Sequence, residues 1–221
     1  MSILFIPPKK ESAMYLFDLD GTLIDSNGIW AGVDRTFLSR RGFAYTQEYR
    51  DAMSHMIFPL GAQFTKEYCH LEESCEEIMA EWMALAADSY AHVPLKPNAR
   101  ELVEALASRG ERLAVFTSAV REHCEMALEA HGLSPFFETV IYAAELGMNK
   151  SSAGAFRLAC KKLGVEPETC TLLDDSVRSC RAAKEAGLRV IGVYDPTFGV
   201  DRAALCAASH RVVDNLGELV P

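Results

Sequence analysis

The sequence predicts an α/β fold: a parallel sheet with helices on both faces, interrupted after its first strand by an all-helical insert. Three observations carry this. Short apolar runs alternate with helical stripes along most of the 221 residues, which is the rhythm of βαβ units. The runs are apolar throughout rather than at every second residue, as in strands buried on both faces. Residues 26–94 break the rhythm, with helical patterns and no convincing strand.

The elements follow in order. The opening "MSILFIPPKK" has an apolar start cut by Pro-Pro, with its lysines behind it. That is too short and in the wrong order for a secretory signal; it reads as a tail or a short extra strand. The first strand is expected at 13–17 and runs into Asp18-Leu19-Asp20. Helices are expected at 27–41, 47–55, 60–70 and 75–90, with Asp25 and Ser26 capping the first of them and lying at a hinge. Trp30, Phe37, Met53, Met56, Phe58, Phe64, Trp82 and Met83 are expected to form the insert's own core. One or two of them, or His55 or Lys66, are the alternatives for facing a ligand. Glu72-Glu73 and Glu76-Glu77 read as a solvated face.

The two prolines of "HVPLKPN", residues 92–98, mark a linker. Beyond it a helix at 98–109 carries Leu102, Val103 and Leu106 on one stripe, and a strand follows at 112–117. A helix at 121–131 ends at Gly132, before a strand at 139–143. Helices at 152–163 and 176–186 end at Gly164 and Gly187, and glycine is the usual residue just past a helix end. Strands are expected at 171–173 and 189–193, and a weaker one at 211–213. Residues 1–25 and 95–221 therefore form one core domain, and 26–94 the insert.

Composition narrows the function. The chain is 49% apolar and 24% charged with net charge −9, an ordinary soluble protein whose acidic surface argues against nucleic acid or anionic membrane as partners. No apolar run approaches the length of a membrane span. The seven cysteines (69, 75, 124, 160, 170, 180 and 206) are odd in number, scattered and without a CxxC pair. They read as small core residues in a reducing compartment, the cytoplasm, rather than as disulfides or a zinc site. His92, His123, His131 and His210 show no metal-ligand spacing. A monomer is the expected state.

Ligands of an open parallel sheet bind beyond the carboxyl ends of its strands. Those ends are polar here: Asp18 and Asp20 after the first strand, Thr117 and Ser118 after the second, Lys150 a few residues past the third, and Asp174-Asp175-Ser176 at the fourth. Residues two apart in a strand face one way, so Asp18 and Asp20 share a site. Four carboxylates gathered there would raise one another's pKa unless a hard cation such as magnesium joined them. Lys150 supplies further positive charge, and Thr117 a hydroxyl beside a backbone N–H, both suited to a phosphate oxygen. A carboxylate so placed can attack phosphorus, and a second can serve as acid and base.

"FDLDGTLIDS", "LAVFTSA", Lys150 in "GMNKSSAGAF" and "LLDDSVRSCRAAKEAG" resemble, in order, the four signatures of the haloacid dehalogenase superfamily, of the helical-cap phosphatase type close to phosphoglycolate phosphatase and beta-phosphoglucomutase. The resemblance implies a Rossmann-like core with the first strand central and a mobile cap. It implies Asp18 as nucleophile, Asp20 as acid/base that also offers its backbone carbonyl to magnesium, Thr117 as the phosphate-binding hydroxyl and Lys150 as the positioning lysine. It makes Asp175 the principal metal ligand, with Asp174 binding directly or through water. The expected phosphate cradle is Gly21, Thr117, Ser118 and Lys150, and the expected Mg²⁺ set is Asp18, Asp20, Asp174 and Asp175. Two features depart from the pattern. Lys150-Ser151-Ser152-Ala153 replaces the usual Lys-Pro-x-Pro, with Gly154 where an aspartate is common. Trp30 stands where sugar-phosphate mutases often carry a histidine. The expected activity is hydrolysis of a small phosphorylated metabolite through an aspartyl-phosphate. A phosphomutase, a dehalogenase and a non-catalytic binding module are the alternatives.

Overall fold

The computed structural model describes residues 13–53, 56, 58–196 and 199–220. The apolar opening segment and His55 lie outside the described residues. The sheet is built from β1 (Met14–Phe17), β2 (Arg112–Thr117), β3 (Thr139–Tyr142), β4 (Cys170–Asp174), β5 (Arg189–Val193) and β6 (Arg211–Val213), in the order β3-β2-β1-β4-β5-β6. Every pairing is parallel. β1 is interior, flanked by β2 and β4, so the expected Rossmann-like α/β sheet with a central first strand is present.

Alternation within the strands divides the core in two. Phe17, Val115 and Leu173 face one side, where α5 (Ala99–Ser108) and α6 (Arg121–Ala130) cover them. Leu16, Phe116 and Leu172 face the other, beneath α7 (Ala153–Leu163), α8 (Val177–Ala186) and α9 (Arg202–Ala208). Because both faces are covered, the strands are mostly apolar rather than alternating, which is why they were legible as runs. Gly164 and Gly187 end α7 and α8 in the left-handed conformation as expected. Ser152 and Ser176 cap the starts of the same two helices.

Between β1 and α5 lie α1 (Ile29–Arg40), α2 (Gln47–Met53), α3 (Phe58–Tyr68) and α4 (Cys75–His92), with no strand among the described residues of that segment. α4 is long because Ser74 and Glu77 form a reciprocal capping box and Ile78, Trp82, Ala86 and Tyr90 recur every fourth residue on its buried stripe. The cap core holds Phe37 against Trp82 edge-on. Within it the buried Thr65 hydroxyl bonds the Tyr49 hydroxyl at 2.6 Å.

Several expectations for this segment are corrected. Trp30, Met56 and Phe58 are exposed rather than core, at 40%, 37% and 37%; Trp30 and Phe58 instead form an edge-on pair at the surface. Asp25 and Ser26 do not cap α1, whose N-cap is Gly28. The chain first turns, with the Ile29 N–H on the Ser26 carbonyl, and Asp25 is taken up by the hinge. Lys66 does not point to a ligand: its ammonium donates to the Glu73 carbonyl at 2.6 Å. Glu73 and Glu77 are not merely solvated, since Glu73 pairs with Arg41 and Glu77 closes the capping box.

The two linkers of the insert lie side by side. Ile24 bridges Leu95 in antiparallel fashion, the Asp25 N–H donates to the Pro94 carbonyl, and the Lys96 N–H donates to the Leu23 carbonyl. The Lys96 ammonium then reaches Asp195, buried in the loop after β5, at 2.7 Å and Asp25 at 3.6 Å. Asn27 donates to the same Asp195 carboxylate. No helix among the described residues is long and apolar enough to cross a membrane. The seven cysteines are free, and five of them are buried.

Candidate active site

Strand register assembles the site. Phe17 lies level with Val115 on one side and Leu173 on the other. Asp18 therefore follows directly at the mouth of the sheet, between Thr117, the last residue of β2, and Asp174, the last of β4. The Asp18 N–H still donates to the Leu173 carbonyl, so backbone pairing fixes the carboxylate's root. Asp18 and Asp174 are buried at 7% and 0% exposure, and Lys150 at 5%.

Lys150 comes from the turn before α7 and joins both carboxylates. Its ammonium donates to Asp18 Oδ1 at 2.5 Å and lies 2.7 Å from Asp174 Oδ2. The unusual Ser151-Ser152 that follows does not displace it, since Ser152 starts α7 as its N-cap. The other oxygen of Asp174 accepts the Ser176 N–H at 2.8 Å. Asp175 completes a cluster in which Asp18, Asp174 and Asp175 each bring an oxygen within 4.8 Å of the others.

Gly21 is required twice over. Its φ is +79°, in the left-handed region that glycine adopts without strain. A Cβ there would also sit 2.1 Å from Asp175 Oδ2. Only a residue with no side chain lets the turn after β1 press against the carboxylate from β4. Thr117 is fully buried and its hydroxyl accepts the Ala119 N–H at 2.9 Å, shaping the turn. Ser118 beside it is exposed at the strand end.

The electrostatics are those of too many anions. Burial pushes the Asp18 carboxyl well above the usual range; Lys150 opposes this, and Asp174, Asp175 and Asp20 add to it. Asp175 is pushed up to about 7, by burial first and then by Asp174. Burial would lower the Lys150 pKa, yet Asp174 and Asp18 together hold it above its ordinary value. One ammonium faces three clustered carboxylates, all hard oxygen donors, two of them buried and Asp175 partly so. That donor set suits an oxygen-seeking divalent cation and no soft metal.

Asp20 stands slightly apart. It is half-buried, and its Oδ1 accepts a 2.5 Å bond from the Tyr90 hydroxyl at the end of α4. Tyr90 is itself buried, and its ring stacks on His123 of α6 at 4.6 Å and 16°. Burial and the neighbouring Asp20 both raise the phenol's pKa, so it remains a neutral donor. The sequence reading missed Tyr90. Its signal was the last position of the Ile78-Trp82-Ala86-Tyr90 stripe, where a buried ring carries a polar tip that needs a partner. Lys96, Asn27 and Asp195 at the hinge were also missed.

Residues 15–193 match the family model described as haloacid dehalogenase-like hydrolase. Validoxylamine A 7'-phosphate phosphatase of Streptomyces hygroscopicus subsp. limoneus is 30% identical over 212 residues, 90% of this chain and 92% of that protein. The bifunctional riboflavin kinase/FMN phosphatase of Arabidopsis thaliana is 27% identical over 187 residues, 84% of this chain; the chain spans about half of that relative, 49% of its length. Among solved structures, a predicted phosphoglycolate phosphatase from Haemophilus somnus 129pt superposes with a TM-score of 0.79 at 22% identity, covering 94% of this chain and 96% of that one.

Proposed function

This chain belongs to the haloacid dehalogenase-like hydrolase family, and from that premise we propose that it is a magnesium-dependent phosphatase of a small phosphorylated metabolite, working in the cytoplasm through an aspartyl-phosphate. The observation that carries this reading is the buried Asp18–Lys150–Asp174 bridge with Asp175 beside it. Three separate segments contribute charge to one place that no packing argument explains. Relatives with phosphatase names over most of the chain support the reaction class.

The chain's own residues would act as follows. Asp18, held by one oxygen through Lys150, attacks phosphorus; a bond forms from its carboxylate to phosphorus as the bond to the leaving oxygen breaks. Asp20 gives its proton to that oxygen. It then takes a proton from the water that attacks the phosphoryl group, releasing inorganic phosphate and restoring Asp18. Lys150 offsets charge on the transferring group, and the turn at Gly21 and the backbone beside Thr117 and Ser118 receive its oxygens. A divalent cation held by Asp18, Asp174, Asp175 and the Asp20 carbonyl would supply the remaining positive charge. Residues 26–94 act as a cap that hinges on the Ile24–Leu95 bridge and restricts bulk water.

Hydrolysis is favoured over a mutase because Trp30, whose indole does not titrate near neutral pH as an imidazole does, takes the position of the mutase histidine. A dehalogenase would attack carbon and has no use for the acidic cluster. The test is a panel of phosphorylated metabolites with purified protein and magnesium, reading released phosphate. Release that EDTA abolishes and magnesium restores is expected. Isomerised product without phosphate, or turnover indifferent to EDTA, would overturn the reading.

A further inference from the structure

We propose that Tyr90 is a positioning residue for Asp20: helix α4 of the cap fixes the orientation of the acid–base carboxylate through the phenol, and His123 of the core braces the phenol. The assignment rests on the phosphatase reading above.

Asp20 needs a fixed partner. It lies in a turn, half-buried, on a side chain with two free torsions, and outside the cluster that Lys150 organises. Proton transfer demands an oxygen within ~2.6–3.2 Å of the reacting atom, and a displacement of about 1 Å can cost ~10²-fold. The Tyr90 hydroxyl meets that need, donating to Oδ1 at 2.5 Å.

Tyr90 in turn has little freedom. Its residue is 3% exposed. His123 stacks on its ring almost in parallel. His123 is itself 4% exposed, on a helix, α6, that packs along α4. The brace thus runs from α6 to α4 through the ring stack, and from α4 to the site through the hydroxyl. Tyr90 exchanges no proton with substrate. Asp20 still gives its proton to the leaving oxygen as the Asp18–phosphorus bond forms, and takes one from water as that bond breaks.

The test uses the full chain with magnesium and compares Tyr90→Phe, which keeps the ring and its stack, with the unaltered protein. Two substrates are needed: an alkyl phosphate that the unaltered protein hydrolyses, and p-nitrophenyl phosphate, whose leaving group needs no proton. Tyr90→Phe is expected to lower kcat on the alkyl phosphate ~30-fold with KM within about 2-fold. The first-turnover burst of p-nitrophenolate is expected to stay within about 3-fold, because that step does not call on Asp20 as an acid. His123→Leu is expected to show the same split more weakly, and carries the test should Tyr90→Phe fail to fold. Equal losses in both measurements, or no loss in either, would overturn the assignment. An unaltered protein that releases no phosphate from any substrate would overturn the phosphatase reading itself.

Discussion

The mouth of the sheet and the cap treat buried polarity in opposite ways. At the mouth, Asp18, Asp174 and Lys150 are charged groups held out of water. In the cap, the buried polar groups among the described residues of α1–α4 are uncharged, such as the Thr65 and Tyr49 hydroxyls that bond each other. The cap instead turns apolar groups outward: Trp30, Met56, Phe58 and Leu60 are all exposed. Buried like charges cost several kcal/mol unless something compensates them, so a fold keeps them only where they act. Exposed apolar groups are inexpensive, and they suit a surface that meets a ligand or a closing partner. The difference is what the proposed division, with chemistry in the core and selection in the cap, would require.

The sharpest way to break that division is Asp18→Asn. It is near-isosteric and should leave the circular dichroism spectrum intact while lowering phosphate release by at least ~10⁴-fold. Near-normal turnover would show that Asp18 is not the nucleophile. Gly21→Ala probes the same region through shape. The new methyl group would meet Asp175 and the backbone would be held at φ +79°. A fall of ~10²-fold in turnover with ~1–3 kcal/mol of lost stability is expected from initial rates and thermal melts.

A cap substitution should behave differently. Trp82 is buried between Phe37 and Phe58, with ring centroids at 5.7 and 5.5 Å. Trp82→Ala is expected to lower stability by ~3–5 kcal/mol, to open the cap to limited proteolysis, and to raise KM more than it lowers kcat. If kcat collapsed while KM held, the cap would be part of the chemistry and the division would fail.

The smallest effect concerns Asp34, partly buried on α1, whose carboxyl burial pushes up to about 6. The unfolded value is about 3.9, so between roughly pH 4 and 6 the folded chain binds more protons than the unfolded one. Stability therefore falls as pH rises through that window and stays lower above it. Asp34→Asn should raise the thermal midpoint at pH 7.5 by ~2–4 °C and leave it unchanged below pH 4. An equal gain at both pH values would mean that the carboxyl's charge is not the cause.

The core was far more legible in the sequence than the cap, for a physical reason. Strands buried on both faces are apolar through their middles, and 112–117 and 189–193 match observed strand bounds. Asp18, Thr117 and Asp174 stand at strand ends, where register brings them to the site, and Lys150 reaches it from the turn before α7. The cap helices were found in order, but the orientation of their residues was not. Phe37 and Phe58 look alike in sequence, and tertiary packing alone makes one buried and the other exposed. Asp25 failed as a helix cap because its backbone was needed at the hinge, a long-range demand that local propensity does not carry. Tyr90 was lost in the same way: a tyrosine in an apolar stripe does not announce which carboxylate, seventy residues away, its hydroxyl reaches.

The pairing of Ile24 with Leu95 has a consequence for ancestry. Entrance and exit of the long excursion sit within one hydrogen bond of each other, so its length is invisible to the strand order on either side. A gene could lose, enlarge or exchange that excursion in one recombination event and still encode the same six-stranded scaffold. Such a joint lets the recognising half of an enzyme diversify while the reacting half stands still.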